Sequence, residues 1–185
     1  VVKKTAEEIA QDVELASGRV TQFRALAARA NYLSADRPDC QYAAKEVCRW
    51  MAAPTELAYQ ALKKLGKYLV GKPRLVWKFP WQEEMSLDVY TDTDWAGCLR
   101  TRKSTSGGCV FSGKHLLKSW SSTQQTLALS SGEAEMAGVT KGAAIALGMK
   151  SMLRDLGAVL ASRFWSDSGA ALGMCGRQRF GKVRH

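Results

Sequence analysis

The sequence predicts a mixed α/β domain preceded by a small helical segment, and three observations carry that expectation. Residues 1–72 repeat apolar side chains at a helical period, whereas residues 73–121 alternate them as strands do. A long helical run from Ser131 to about Leu156 then leads into a short strand and a last helix. Strands and helices in that order fold as a mixed sheet with helices packed on it. The expected boundary falls between residues 72 and 73, giving segments 1–72 and 73–185.

In the first segment Ala6 to Ala16 is a short helical candidate. Val20, Phe23, Ala27, Ala30 and Leu33 follow a period close to 3.6, so a helix is expected over Val20–Leu33. Arg37-Pro38-Asp39 interrupts it, because the residue before proline is pushed out of the helical region. A second helix is expected from about Cys40 to Ala52, with Tyr42, Val47, Trp50 and Met51 as its inner face. Ala53-Pro54-Thr55 breaks the pattern again, and Thr55 is placed to cap a third helix through Val70. No polar cluster converges here, which is the pattern of a packed helical unit.

From residue 73 the period changes. Leu75–Phe79 and Leu87–Thr91 alternate as strands, and Gly107–Ser112 with Leu116–Ser121 form a hairpin around Gly113-Lys114. Leu127-Ala128-Leu129 reads as a further strand segment. Gly157 is a natural stop for the long helix. Its interior glycines, Gly138, Gly142 and Gly148, are expected to weaken it relative to alanine. Arg163–Ser166 follows as a short strand, and Ser168 is placed to cap a helix through about Cys175.

Composition narrows the partners. The 185 residues carry 27 Lys and Arg against 17 Asp and Glu, a formal charge of +10. Residues 1–85 hold 14 basic and 10 acidic groups and residues 86–185 hold 13 and 7, so both halves are basic. A polyanionic partner such as nucleic acid is expected, since clustered cations displace counterions from phosphates. Five cysteines without a Cys-x-x-Cys pair argue against a disulfide framework or a zinc site, and for a reducing, intracellular compartment, cytoplasmic or nuclear. Two histidines, His115 and His185, leave histidine-based catalysis little to work with. No apolar stretch is long enough for a membrane span, and the start, Val-Val-Lys-Lys-Thr, has no hydrophobic signal core.

Three acids stand where chemistry is expected. Asp92 ends the strand from Leu87, and Asp167 ends the strand from Arg163; ligands bind at such strand ends in α/β sheets. Spacing alone also allows each aspartate to be a turn former or helix cap. The long helix offers two glutamates. Ser130-Ser-Gly-Glu133 fits a capping box, which gives Glu133 a structural role, and Ala137 and Lys141 near it look outward. Glu135 instead heads a stripe through Val139, Ala143 and Ala146 toward the sheet, where a carboxylate needs a partner. Three converging carboxylates repel one another unless a cation intervenes, so a hard divalent metal is the natural occupant. Two such ions can activate water and stabilise a phosphodiester's leaving oxygen. Asp94 and Asp88 are secondary, and Asp88, alternating with Leu87 and Val89, is expected to face outward. Arg100, Arg102, Lys103, Ser104 and Thr105 gather cations and hydroxyls between two strands, as a phosphate contact would or as a solvated loop would.

Several ordered motifs now point to a family. Tyr90-Thr-Asp-Thr-Asp-Trp-Ala-Gly97, Arg102–Phe111, Ser119-Trp-Ser-Ser122, Leu129–Glu135 and Trp165-Ser-Asp167 resemble the ribonuclease H domain of copia-type retrotransposon Pol polyproteins. Phe23–Leu26, Tyr32-Leu33, Arg37–Asp39, Pro54 and Ala61–Gly71 resemble the segment joining the reverse transcriptase to that domain, so the resemblance covers roughly residues 20–185. It implies a ribonuclease H-like mixed five-stranded sheet flanked by helices. It also implies an endonuclease that cleaves RNA in RNA–DNA hybrids with two Mg2+ ions, for which Mn2+ could substitute. Asp92, Glu135 and Asp167 match the family's catalytic metal ligands. Hybrid recognition would come from backbone shape and 2′-hydroxyl contacts.

The sequence also departs from the family. The polymerase palm with its paired aspartates is absent. Gly181–His185 resembles the run leading into the last active-site acid, so the domain over 73–185 is expected to be C-terminally truncated, without a fourth carboxylate. Met136 replaces an aromatic. Two other classes therefore stay open: an inactive, domesticated or decayed remnant acting as a structural or interaction module within a polyprotein or host assembly, and a basic nucleic-acid binder without catalysis.

Overall fold

Breaks at Pro38 and Pro54 divide the first part of the chain into three helices, α1 (Ser17–Leu33), α2 (Gln41–Cys48) and α3 (Glu56–Gly71), with a 3-10 turn at Pro38–Cys40 before α2. The computed structural model describes residue 7 and residues 11–83 and 86–177. Contacts divide the chain into two units, residues 1–78 and 79–185. Residues 6 and 8–10 of the Ala6–Ala16 candidate lie outside the described residues, and its described end, residues 12–16, is not helical; Gly181–His185 lies wholly outside the described residues.

In the first unit Phe23, Ala27, Val47, Ala58 and Leu62 form one buried cluster with Leu15, and Ala30, Cys40, Ala44 and Leu65 form a second. Thr55 caps α3 as expected, its hydroxyl accepting from the Ala58 N–H at 3.2 Å. Arg37 is bidentate to Asp39 and also donates to the Lys72 carbonyl, which ties down the end of α3. The inner face of α2 differs from expectation. Tyr42 is exposed and Ala44 is buried in its place, whereas Val47 is buried as expected and Trp50 and Met51 pack partly buried against the core. Two residues turn a helix by about 200°, so Tyr42 lies opposite Ala44; its ring stacks under the Lys45 ammonium.

The second unit builds a four-stranded mixed sheet: β1 (Ser86–Asp94), β2 (Thr105–Ser112), β3 (His115–Thr123) and β4 (Ala161–Trp165), in the order β3-β2-β1-β4. β1 pairs antiparallel with β2 and parallel with β4, and the crossover between them contains α4 (Ser131–Asp155). A short helix α5 (Gly169–Cys175) follows, with Ser168 as its cap. Leu87, Val89, Val110 and Ala146 are the buried heart of the α4–sheet interface, with Trp120 packed against them. No helix among the described residues is long and apolar enough to cross a membrane.

Two expected strands are absent. Leu75–Phe79 carries no regular secondary structure, and Val76 and Phe79 are exposed. Pro73 and Pro80 bracket it, and neither can donate to a sheet ladder. Leu127–Leu129 is also irregular, because its last amide serves a helix cap: the Leu129 N–H donates to Glu133 Oε2 at 2.7 Å. The described residues thus hold four strands, one fewer than the resemblance implies.

The glycines of α4 are not simply helix-weakening. The buried stripe runs Glu135, Gly138, Gly142, Ala146, set by spacings of three and four. A Cβ on Gly142 would lie 2.7 Å from Thr91 Cγ2 and 3.2 Å from Val89 Cγ1, both on β-branched side chains held in the strand. One on Gly138 would lie 2.6 Å from Thr93 Oγ1. Glycine therefore lets α4 settle onto β1 and bring Glu135 down to the sheet. Gly148 has nothing within 4 Å. Gly148→Ala is expected to raise stability by about 1 kcal/mol through helix propensity. Gly142→Ala gains the same term but loses about 1–3 kcal/mol to overpacking, so chemical denaturation should show it destabilised. A stabilised Gly142→Ala would show that close approach is not required.

Asp88 was expected to face outward, and it does not. It is buried on the sheet face away from α4, where Arg163 donates Nε and Nη2 to its two carboxylate oxygens at 2.7 and 2.8 Å. Trp165 Nε1 donates to it at 2.9 Å and the Ser86 hydroxyl at 3.2 Å. Arg163 sits directly across from Asp88 in the parallel ladder, which is why the pair forms. The Arg163 guanidinium above all, then Trp165, holds the Asp88 carboxyl down at about 2 from an ordinary 3.8. A depressed carboxyl stabilises the fold above its unfolded value, and that contribution is lost as pH falls from about 3.8 through about 2. Arg163→Gln should therefore start acid unfolding at a higher pH, read by a denaturation series from pH 7 to 2; an unshifted acid limb would contradict this.

Candidate metal centre

The register of the parallel pair builds the site. Tyr90 is opposite Trp165, so two residues further on Asp92 and Asp167 leave the same end of neighbouring strands. Asp92 faces Gly107 across the antiparallel ladder, so no side chain opposes it there. Helix α4 supplies the third acid. Its start is fixed by the capping box read from the sequence: Ser130 Oγ accepts from the Glu133 N–H at 3.2 Å, and the Glu133 carboxylate reaches back to Leu129. Glu133 is thereby occupied, and two residues later Glu135 turns under the helix toward Asp92.

Asp92, Glu135 and Asp167 each offer a carboxylate oxygen, and these oxygens lie within 4.8 Å of one another. Glu135 is 8% exposed, whereas both aspartates are exposed. Asp92 Oδ1 accepts from the Thr93 N–H at 2.8 Å, which orients it. Glu135 Oε2 is enclosed and has no hydrogen-bond partner, nor has the neighbouring Thr93 Oγ1. Burial pushes the Glu135 carboxyl above its ordinary range, and the charges of Asp92 and then Asp167 push it further, against a smaller opposing contribution from the Thr93 backbone. A buried acceptor without a donor, in a set made only of oxygen donors, fits a hard divalent cation.

The loop from Trp95 to Ser104 follows directly on β1. Ala96 and Arg102 have φ of 50° and 54°, left-handed conformations unusual for residues with a Cβ. Trp95 Nε1 donates to the Ala128 carbonyl at 3.1 Å, pinning this loop to the approach of α4. Ser104 is fully buried, and its hydroxyl accepts from the Ala96 N–H at 3.1 Å, so it braces the loop from within. Arg100 and Arg102 are exposed, and Lys103 and Thr105 are half-buried. The structure thus brings the three acids together and carries the cations on a braced loop that follows β1. Sequence reading did not find the bracing by Ser104 and Trp95 or the close approach at Gly138. The glycine spacing after Glu135 was the one available signal.

Comparison with known proteins adds the lineage. No family model matches the chain, and no solved structure matches it. Among curated proteins it is 36% identical over 138 residues, 74% of its length, to the retrovirus-related Pol polyprotein from transposon RE1 of Arabidopsis thaliana. It is 32% identical over 169 residues, 89% of its length, to that from transposon RE2 of the same plant. A secreted RxLR effector protein 161 of Plasmopara viticola is 36% identical over 107 residues, 54% of this chain and 70% of the effector. Relatives named as retrovirus-related Pol polyproteins of copia-type transposons, at 32–36% identity, thus cover much of the chain. The chain spans 9% and 12% of the two Arabidopsis polyproteins' own lengths.

Proposed function

We propose that this Pol-derived chain carries a metal-dependent endonuclease centre of the ribonuclease H type, hydrolysing the RNA strand of RNA–DNA hybrids as part of a retrotransposon polyprotein. One observation carries the reading: Asp92, Glu135 and Asp167 converge, with the Glu135 oxygen enclosed and unpartnered. The four-stranded order, with a parallel pair ending in two aspartates and a helix delivering the glutamate, agrees with a ribonuclease H-like sheet.

The three carboxylates would hold Mg2+, or Mn2+ in its place, and the bound ions would supply an activated water and charge stabilisation for the leaving oxygen. Asp92 and Asp167 keep the open side of the site accessible to a phosphodiester, while burial fixes Glu135 as the rigid member. Arg100, Arg102 and Lys103 lie on the loop that follows β1 from Asp92, and their positive charge would suit phosphates of the substrate backbone. His115 is occupied elsewhere, its ring bonded to the Pro80 carbonyl at 2.9 Å at the β2–β3 hairpin, so proton transfer falls to water and carboxylates. Preference for a hybrid would rest on groove shape and 2′-hydroxyls.

The test is incubation of an RNA–DNA hybrid, labelled on each strand in turn, with the chain in Mg2+ and in EDTA. The RNA strand should shorten in Mg2+ only. An intact RNA strand with folded protein would overturn the proposal and favour a non-catalytic remnant.

A further inference from the structure

Asp92, Glu135 and Asp167 all belong to the second unit, and the charge distribution of the first is not that of a merely soluble helical bundle. From Leu57 to Gln82, 26 residues contain six cations, Lys63, Lys64, Lys67, Lys72, Arg74 and Lys78, and no acid. More than half of the chain's net charge of +10 thus lies in about one seventh of its length. All six are exposed. None of them forms an ion pair with a described carboxylate, whereas Arg19, Arg37, Lys45 and Arg49 in the same unit each do.

Geometry gathers them. On α3 the buried positions Ala58, Leu62 and Leu65 mark the core side. Lys63, Lys64 and Lys67 fall within about 100° on the opposite side, with Lys63 and Lys67 about 6 Å apart along the axis. Lys72, Arg74 and Lys78 continue the run in the irregular chain after α3. Lysines that only solvate a helix are usually interspersed with acids, which lowers their mutual repulsion. Here no acid intervenes, so the repulsion is left for a polyanion to relieve. Trp77 and Val76, exposed between Arg74 and Lys78, add apolar surface that solubility alone would not call for.

We propose that the outer face of α3 and the segment through Lys78 form a second phosphate-binding surface for duplex nucleic acid, separate from the loop at Arg100–Lys103. Its partner is taken to be the hybrid of the nuclease reading, on which the choice of duplex rests. Contacts of this kind hold the backbone irrespective of sequence, as counterion release requires.

The experiment measures equilibrium binding of the full chain to a fluorescein-labelled RNA–DNA hybrid in EDTA, by anisotropy between 50 and 200 mM salt, so that cleavage plays no part. Each phosphate contact contributes about 0.9 to the slope of log affinity against log salt. The triple variant Lys63→Gln, Lys64→Gln, Lys67→Gln should lower that slope by about 2–3 and weaken binding at least tenfold at low salt, with helical circular dichroism unchanged. Arg100→Gln with Arg102→Gln should lower it separately and additively. An unchanged slope in the triple variant overturns the surface even if Mg2+-dependent cleavage is found. A lowered slope upholds it even if cleavage fails. Binding to phosphatidylserine vesicles in place of the duplex would also overturn it.

Discussion

Asp92→Asn is expected to abolish hybrid cleavage, by at least about 100-fold, while the protein stays folded. Asparagine keeps the shape and can still accept from the Thr93 N–H that orients Asp92. It removes one of the charges that make the cluster attractive to a divalent ion, and losses even among groups that merely support metal ligands cost about 10–100-fold. Because Asp92 is exposed, the substitution buries nothing new, and thermal unfolding should change little. Cleavage by Asp92→Asn at the wild-type rate would remove Asp92 from the reaction. Loss of cleavage together with loss of structure would be uninformative about chemistry, so circular dichroism accompanies the rate.

Glu135→Gln should separate the cost of the site from its use. The Glu135 carboxyl is raised above its ordinary 4.5 by burial and by Asp92 and Asp167. A carboxyl raised in the folded state binds its proton more tightly there. Metal-free stability is thus full below the ordinary value and falls as pH rises through the raised one. At neutral pH the charged Glu135 destabilises the metal-free fold, and the neutral amide relieves it. We therefore expect Glu135→Gln to unfold a few degrees higher than wild type in EDTA, a shift corresponding to about 1 kcal/mol in a domain of this size. Mg2+ or Mn2+ should stabilise the wild type by mass action and leave the variant unmoved. A variant that is less stable in EDTA, or equally stabilised by metal, would show that Glu135 is an ordinary structural group.

Much of this site was legible because each part depends on local chemistry. The capping box at Ser130 assigns Glu133 to the helix start and so leaves Glu135 for the sheet side. Strand alternation places Asp92 and Asp167 at strand ends. What stayed hidden depends on pairing between distant residues. Asp88 looked solvent-facing because alternation cannot reveal that Arg163, 75 residues away, sits across the ladder from it. Gly138 and Gly142 read as weak points because propensity is a property of one helix, whereas their function is the distance between a helix and a strand. Leu75–Phe79 had a strand's pattern, but Pro73 and Pro80 on either side cannot extend a ladder beyond it. Ser104 read as a phosphate contact, yet its hydroxyl is spent inside the loop on Ala96.

Whether the three acids meet around a divalent cation is measured most directly by Mn2+ binding followed by electron paramagnetic resonance. Titrated with Mn2+ at neutral pH, the wild-type chain should remove the free-ion signal saturably, Mg2+ should compete, and Glu135→Gln should bind far more weakly. Folded wild-type protein that leaves the free Mn2+ signal unchanged, or that binds no better than Glu135→Gln, would contradict the metal centre and the nuclease reading built on it.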